Sequence, residues 1–180
     1  MLARIASIVV IVSAAVLFWP MQPNPALGAA VWIPQAATAK DESLAIIVNQ
    51  SNPVENVSTE ELRKIFLGER SHWPNGRRIT LVMMEPGQPE RKTMLRDICH
   101  MTESEFSRHF LHGLFTGEVF VSPKTLATPV GVRKFVFNVP GAIGYLRASD
   151  VDGSVKIVRL DERLPEEKDY KLRVPVQPAK

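Results

Sequence analysis

ITLVMMEPGQPERKTMLRD, residues 79 to 97, is the stretch whose reading decides the fold. Ile79 to Met84 has the apolar content of a strand covered on both faces. Glu85-Pro86-Gly87-Gln88-Pro89 then interrupts it with turn-forming residues. Beyond the interruption Met94, Leu95 and Ile98 recur at helical spacing, and Pro89 suits a first helical turn, where a missing N–H costs little. The spacing predicts a helix from about residue 89 to 100. A loop beyond the carboxyl end of a strand, leading into a helix, is where α/β domains place ligands, because the helix start presents unpaired N–H groups.

Upstream, Leu44 to Val48 is another short apolar run, closed by Asn49-Gln50-Ser51-Asn52-Pro53. Ser58 and Glu61 have capping-box spacing, and Leu62, Ile65 and Phe66 give the following helix one apolar stripe. Trp73-Pro74-Asn75-Gly76 is a turn that leads toward the strand at Ile79, with Trp73 expected to pack beneath it. Downstream, Thr102 and Glu105 repeat the capping box before a helix expected to bury Phe106, Phe110, Leu111 and Leu114. Thr128-Pro129 opens a further helix with Val132, Phe135, Val136 and Val139 inward. Strands follow at Ala142 to Leu146 and Val155 to Val158, separated by the Asp152-Gly153 turn. Strands alternating with helices predict an α/β, three-layer sandwich with a mostly parallel sheet. Residues 44–160 form the domain on this reading, and residues 161–180 a loosely held polar tail.

The chain of 180 residues is long enough for one domain with a genuine core, at 45% hydrophobic and 23% charged residues. A net charge of +3, with 22 basic residues dispersed, lacks the concentrated basic face that nucleic acid demands. Arg4 precedes an apolar run from Ile5 to Trp19, shorter than the roughly 20 residues a membrane span needs. Small residues follow at Ala26, Gly28, Ala29 and Ala30 and again at Ala37-Thr38-Ala39, the first cluster standing at the more usual distance for cleavage. This reads as an export signal over residues 1–30, then a Pro-containing linker over 31–43, and a domain acting in the periplasm or otherwise outside the cytoplasm. Contact with the membrane would come only through an uncleaved N-terminal anchor. Cys99 is the single cysteine, so no intrachain disulfide forms, and its place in an apolar helical pattern predicts a packed, unreactive thiol.

Three stretches, AIIVNQSNPVENVSTEELRKIFLGERSHWPNGRRIT, EPGQPER and VPGAIGYL, resemble in order and spacing the phosphate-type substrate-binding proteins of ABC importers, a type II periplasmic binding fold. The match runs from about Leu44 to Val158 and corresponds to one lobe of a two-lobed family. The resemblance implies a binding role without catalysis and a ligand at the junction after Ile79. In that family the phosphate loop reads roughly Arg-x-x-Gly-Ser-Gly-Thr. Laid on it, this sequence places Met84 at the Arg, Gln88 at the Ser, Pro89 at the second Gly and Glu90 at the Thr. Only Gly87 is retained. The guanidinium fork and both hydroxyl donors are gone, and Glu90 is expected to meet an incoming phosphate with a negative charge. Arg91 is the cation able to turn into the pocket.

The candidate ligand-binding residues are therefore Asn49, Ser51, Gly87, Gln88 and Arg91, for a small-molecule or anionic ligand other than tightly held phosphate. An ABC permease or another envelope protein is the partner class the resemblance implies. One alternative is a phosphate or anion receptor that dimerises to rebuild a cleft. Another is a metal-binding or hydrolytic enzyme, for which Glu105, His109 and His112 offer one face of a helix at i, i+4 and i+7. Nothing supplies that trio with further ligands, and no serine sits in a nucleophile-elbow motif, so no cofactor, metal or catalytic residue is assigned. Arg63, Lys64, Arg70, Arg77 and Arg78 read as a solvated basic face.

Overall fold

In a computed structural model the described residues are 41–119 and 122–175. The signal and most of the linker expected from the sequence lie outside them. The elements run β1 (Glu42–Asn49), β2 (Asn56–Val57), α1 (Thr59–Phe66), β3 (Thr80–Met84), α2 (Pro89–Met94), a π-helical turn (Leu95–Cys99) and α3 (Glu103–Thr116). There follow β4 (Lys124–Leu126), α4 (Pro129–Asn138), β5 (Ala142–Arg147), a 3-10 turn (Ala148–Asp150), β6 (Val155–Leu160) and β7 (Arg173–Val174).

The strands form one sheet in the order β2-β6-β1-β5-β3-β4, with β7 pairing the start of β1. β3 runs parallel to β4 and β5, and β2 parallel to β6. β1 runs antiparallel to β5, β6 and β7. The sheet is thus mostly parallel, and the strand that opposes the others is the central one. Leu44 to Val48 are all buried, as a strand covered on both faces requires.

The two covering layers can be read from β5. A Cβ placed on Gly144 would lie 3.2 Å from Val132 and 3.5 Å from Val136, so that face carries α4. The next side chain, Tyr145, points to the opposite face and meets the Phe66 ring of α1 at 5.8 Å between centroids. Alternation along one strand therefore sets a helix on each side. Both expected capping boxes form, Ser58 with Glu61 and Thr102 with Glu105. Trp73 is buried and donates its indole N–H to the Gly141 carbonyl at 3.0 Å, which fixes the turn before β3 beneath the start of β5.

Three expectations are corrected. β1 starts at Glu42, inside the segment read as linker. The polar tail expected from Asp161 is packed as far as Val174, since Tyr170, Leu172 and Val174 are buried and the Tyr170 hydroxyl donates to the Leu44 carbonyl. Apolar residues spaced two apart among charges carry a strand signal that the high charge density masked. On α3, Phe106, Phe110 and Gly113 face inward, while Leu111, Leu114 and Phe115 stand in solvent at 61%, 51% and 85% exposure. The inward stripe narrows because Gly113 abuts Val119, which leaves no room for a larger residue on that side.

Cys99 closes the π-helical turn and is fully buried. Burial pushes its thiol up to about 12, against a smaller opposing pull from Arg63 and Arg91. The native protein should therefore resist a disulfide exchange reagent at pH 8 and label stoichiometrically once unfolded in guanidinium. Rapid labelling of the folded chain would contradict this packing.

Candidate functional site

The junction after β3 takes the form its residues dictate. Gln88 donates its N–H to the Glu85 carbonyl at 3.3 Å, with Pro86 second and Gly87 third at φ +93°. Proline followed by a residue of positive φ is the signature of a type II turn. Glu85 is tied sideways to β4 through its N–H on Leu126 O. α2 then starts at Pro89, and Gln88 supplies no side-chain cap. After six residues the helix widens into the π-helical turn and ends on His100 in the left-handed conformation at φ +54°.

Arg91 is only 6% exposed. Its Nη1 donates to the Met84 carbonyl at 2.9 Å, its Nε and Nη2 donate to both carboxylate oxygens of Glu103, and its guanidinium carbon lies 5.5 Å from the centre of the Phe106 ring. A guanidinium so engaged is not available to turn into a pocket, which corrects the expectation for this residue. Glu90 is equally committed. Its side chain is 9% exposed and accepts from Nε of Arg147, the last residue of β5, whose Nη1 reaches Glu42 at 3.1 Å. The Glu90 charge is thus neutralised by a partner on the sheet, and the expected clash between this carboxylate and an incoming phosphate does not arise. The loop EPGQPER carries no serine or threonine hydroxyl, and its one guanidinium is engaged within the protein.

The five sequence candidates do not converge. Val48 pairs with Ile143 and Thr80 with Ala142, so Asn49 lies level with the beginnings of β3 and β5. Gly87, Gln88 and Arg91 lie beyond the end of β3, past Met84. Four strand residues at ~3.3 Å each separate the two ends by more than about 13 Å. The physical reason is the direction of β1: its exit faces the opposite edge from the exits of the parallel strands. Asn49 is a structural residue there. Its Nδ2 donates to the carbonyls of Val136 and Phe137 at the end of α4, and its Oδ1 accepts from the N–H and hydroxyl of Ser51. Ser51 in turn accepts from Arg77 Nη1 at 3.0 Å.

The end of the sheet that keeps Gly87 opens instead on a groove of about 550 Å³ between the π-helical turn and the start of α3. Leu95 and Met101 line it among charged walls. The polar lining comes from Lys92, Arg96 and His100 on α2, the π-helical turn and its cap, and from Glu103 and Glu105 on α3. Arg96 is chelated by Asp97, Glu103 holds Arg91, and Glu105 accepts from the Thr102 N–H and hydroxyl in the capping box. The Lys92 ammonium has no ion pair or hydrogen bond among the described residues. The left-handed His100 and the long-range Arg91–Glu103 pair carry no local sequence signal. Glu103 reads locally as an ordinary first-turn acid.

The helix-face trio of Glu105, His109 and His112 lines one cavity of about 300 Å³ with Arg108 and Glu118, but two of its members are engaged elsewhere. Glu105 is turned back onto Thr102, and His109 Nε2 lies 2.9 Å from the Leu67 carbonyl. No group of three or more His, Cys, Asp or Glu side chains able to hold a metal occurs among the described residues.

No protein-family model matches the chain. It is 30% identical over 129 residues to the phosphate-binding protein PstS of Bacillus subtilis, covering 70% of this chain and 38% of that protein. In structure it is similar to an ABC-type phosphate transport receptor from Vibrio cholerae, with a TM-score of 0.62, 22% identity, and coverage of 77% of this chain and 56% of the receptor. A phosphate-bound ABC transporter substrate-binding protein from Clostridium perfringens, itself described as putative, gives a TM-score of 0.59 at 23% identity over 75% of this chain and 54% of its own. The chain therefore spans about half the length of these solved relatives and less of the curated one.

Proposed function

We propose that this chain, which resembles phosphate-type ABC transporter substrate-binding proteins in sequence and in the fold of one lobe, is an exported, non-enzymatic binding module. Its ligand occupies the groove beside Gly87 and Gln88, and free phosphate is not held tightly. The observation that carries this reading is Arg91, the buried guanidinium at the junction, wholly taken up by Glu103, Met84 and Phe106. Each missing hydrogen bond to a charged ligand removes roughly 1.5 to 3 kcal/mol of affinity. With no serine, threonine or free guanidinium in EPGQPER, the loss extends over several such bonds. Inorganic phosphate titrated into the protein in a calorimeter should give no micromolar binding. A Kd in the micromolar range or tighter would reject the proposal. A small-molecule screen by thermal shift is the matching positive test, since a ligand of the folded state alone must raise the melting temperature.

A receptor completed by a second copy is a further reading, favoured by the exposed Leu111, Leu114 and Phe115 on α3. Sedimentation velocity decides it. Dimers that Phe115→Glu dissociates would support a shared cleft, and a monomer at ~100 μM would exclude one, because contacts weaker than that bring too little affinity to assemble a receptor.

A further inference from the structure

We infer that Arg91 and Glu103 form a self-filled anion site, in which the protein's own carboxylate takes the place of the anionic group of a ligand and keeps free anions out. The inference rests on the groove being the ligand site and concerns how that site is regulated. Two contacts independent of Glu103 hold the guanidinium: the Met84 carbonyl at 2.9 Å and the Phe106 ring at 5.5 Å. The fork is thereby positioned whether or not a carboxylate is present. Its remaining donors, Nε at 2.9 and 3.1 Å and Nη2 at 2.6 Å, meet both Glu103 oxygens in the bidentate arrangement that a carboxylate or phosphate ligand adopts.

The occupant differs from the fork in a way that suits a gate. The Arg91 side chain is 7% exposed and that of Glu103 38%. Glu103 also lines the groove, so its carboxylate stands between the buried fork and open space. It comes from the first turn of α3, a helix of 14 residues, whose N-terminus favours a negative charge at that position. Lys92 lines the same groove, its ammonium without an ion pair among the described residues. A tethered carboxylate has the advantage of high effective concentration over any free anion. Rotation of Glu103 into solvent would expose a preformed, cation-flanked fork to the groove, and the chemistry it then accepts is a carboxylate or a phosphate.

The test is removal of the occupant in the full chain. Glu103→Ala is titrated with acetate and with inorganic phosphate at constant ionic strength set by chloride, following melting temperature and heat of binding. A saturable rise in melting temperature with one or both anions is expected, with a Kd at least ~10-fold below that of the wild type, the equivalent of one charged hydrogen bond. The double variant Arg91→Met/Glu103→Ala should lose the response. A folded Glu103→Ala chain with no saturable response, or a double variant that responds equally, would overturn the inference. Should Glu103→Ala fail to fold, Glu103→Ser replaces it under the same criteria. Tight phosphate binding by the wild type would refute the proposed function, whereas an unresponsive Glu103 variant refutes only the self-filled site.

Discussion

Arg147→Met should lose about 3 kcal/mol of stability at pH 7, the largest effect expected of any single charged residue here. Arg147 stands at the end of β5 with its side chain 19% exposed, between Glu90 at 9% and Glu42 at 25%. Removing the cation leaves two carboxylates partly buried, one close to the sheet and one at the start of β1, with no counter-charge. Breaking a buried pair costs roughly 3 to 5 kcal/mol, and the partial exposure of Glu42 places this case at the low end. The pH dependence gives a second reading. Burial pushes the Glu42 carboxyl up, but hydrogen bonds from Ser149 and Arg147 outweigh it and hold the group below its ordinary 4.5. A depressed folded value means that Glu42 adds stability above 4.5 and loses it as pH falls through the folded value. The wild type should therefore lose stability in acid below about pH 4.5, and Arg147→Met should lose less of it there. Urea midpoints from pH 3 to 8 measure both. A variant within about 1 kcal/mol of wild type at pH 7 would show that the cluster contributes no more than a surface pair.

Gly141→Ala is expected to cost about as much, for a reason of space. A Cβ on Gly141 would lie 2.1 Å from the backbone carbonyl oxygen of Arg78, a contact no side-chain rotation relieves. That oxygen belongs to the segment entering β3, and the Gly141 carbonyl itself accepts from the Thr80 N–H and the Trp73 indole. The backbone must separate where β3 and β5 begin to pair, at Thr80 and Ala142. Overpacking of this kind costs roughly 1 to 3 kcal/mol, and displacing two hydrogen bonds puts the expectation near the top of that range. Thermal denaturation should show a melting temperature several degrees lower, on the order of 4 °C per kcal/mol for a domain of this size. Gly87→Ala serves as the comparison, because a Cβ there meets nothing within 4 Å and only the positive φ of +93° is penalised. Gly141 does not have a positive φ, so its loss comes from close approach alone, and a loss no larger than that of Gly87→Ala would show that the backbone relaxes around the added Cβ.

Local chemistry was enough to place most elements. The apolar runs at Leu44 and Ile79 are strands covered on both faces, the two capping boxes start helices at Thr59 and Glu103, and Pro86-Gly87 makes the turn beneath the groove. These features depend on residues a few positions apart, so the sequence alone determined them, together with the mostly parallel α/β architecture and the buried state of Cys99. Direction and partnership lie beyond that range. Nothing within Leu44 to Val48 records that β1 runs against its neighbours, yet that reversal sends Asn49 and Ser51 to the opposite end of the sheet from Gly87. Nothing near Arg91 records that Glu103 will fill its fork, or near Glu90 that Arg147 will neutralise it across 57 residues. Ion pairs between distant elements follow from how the sheet and helices stack, and only the tertiary structure decided them. The junction after β3 thus has the turn and helix start that its residues predict, while its charged side chains, Glu90 and Arg91, are paired with Arg147 and Glu103 from distant elements.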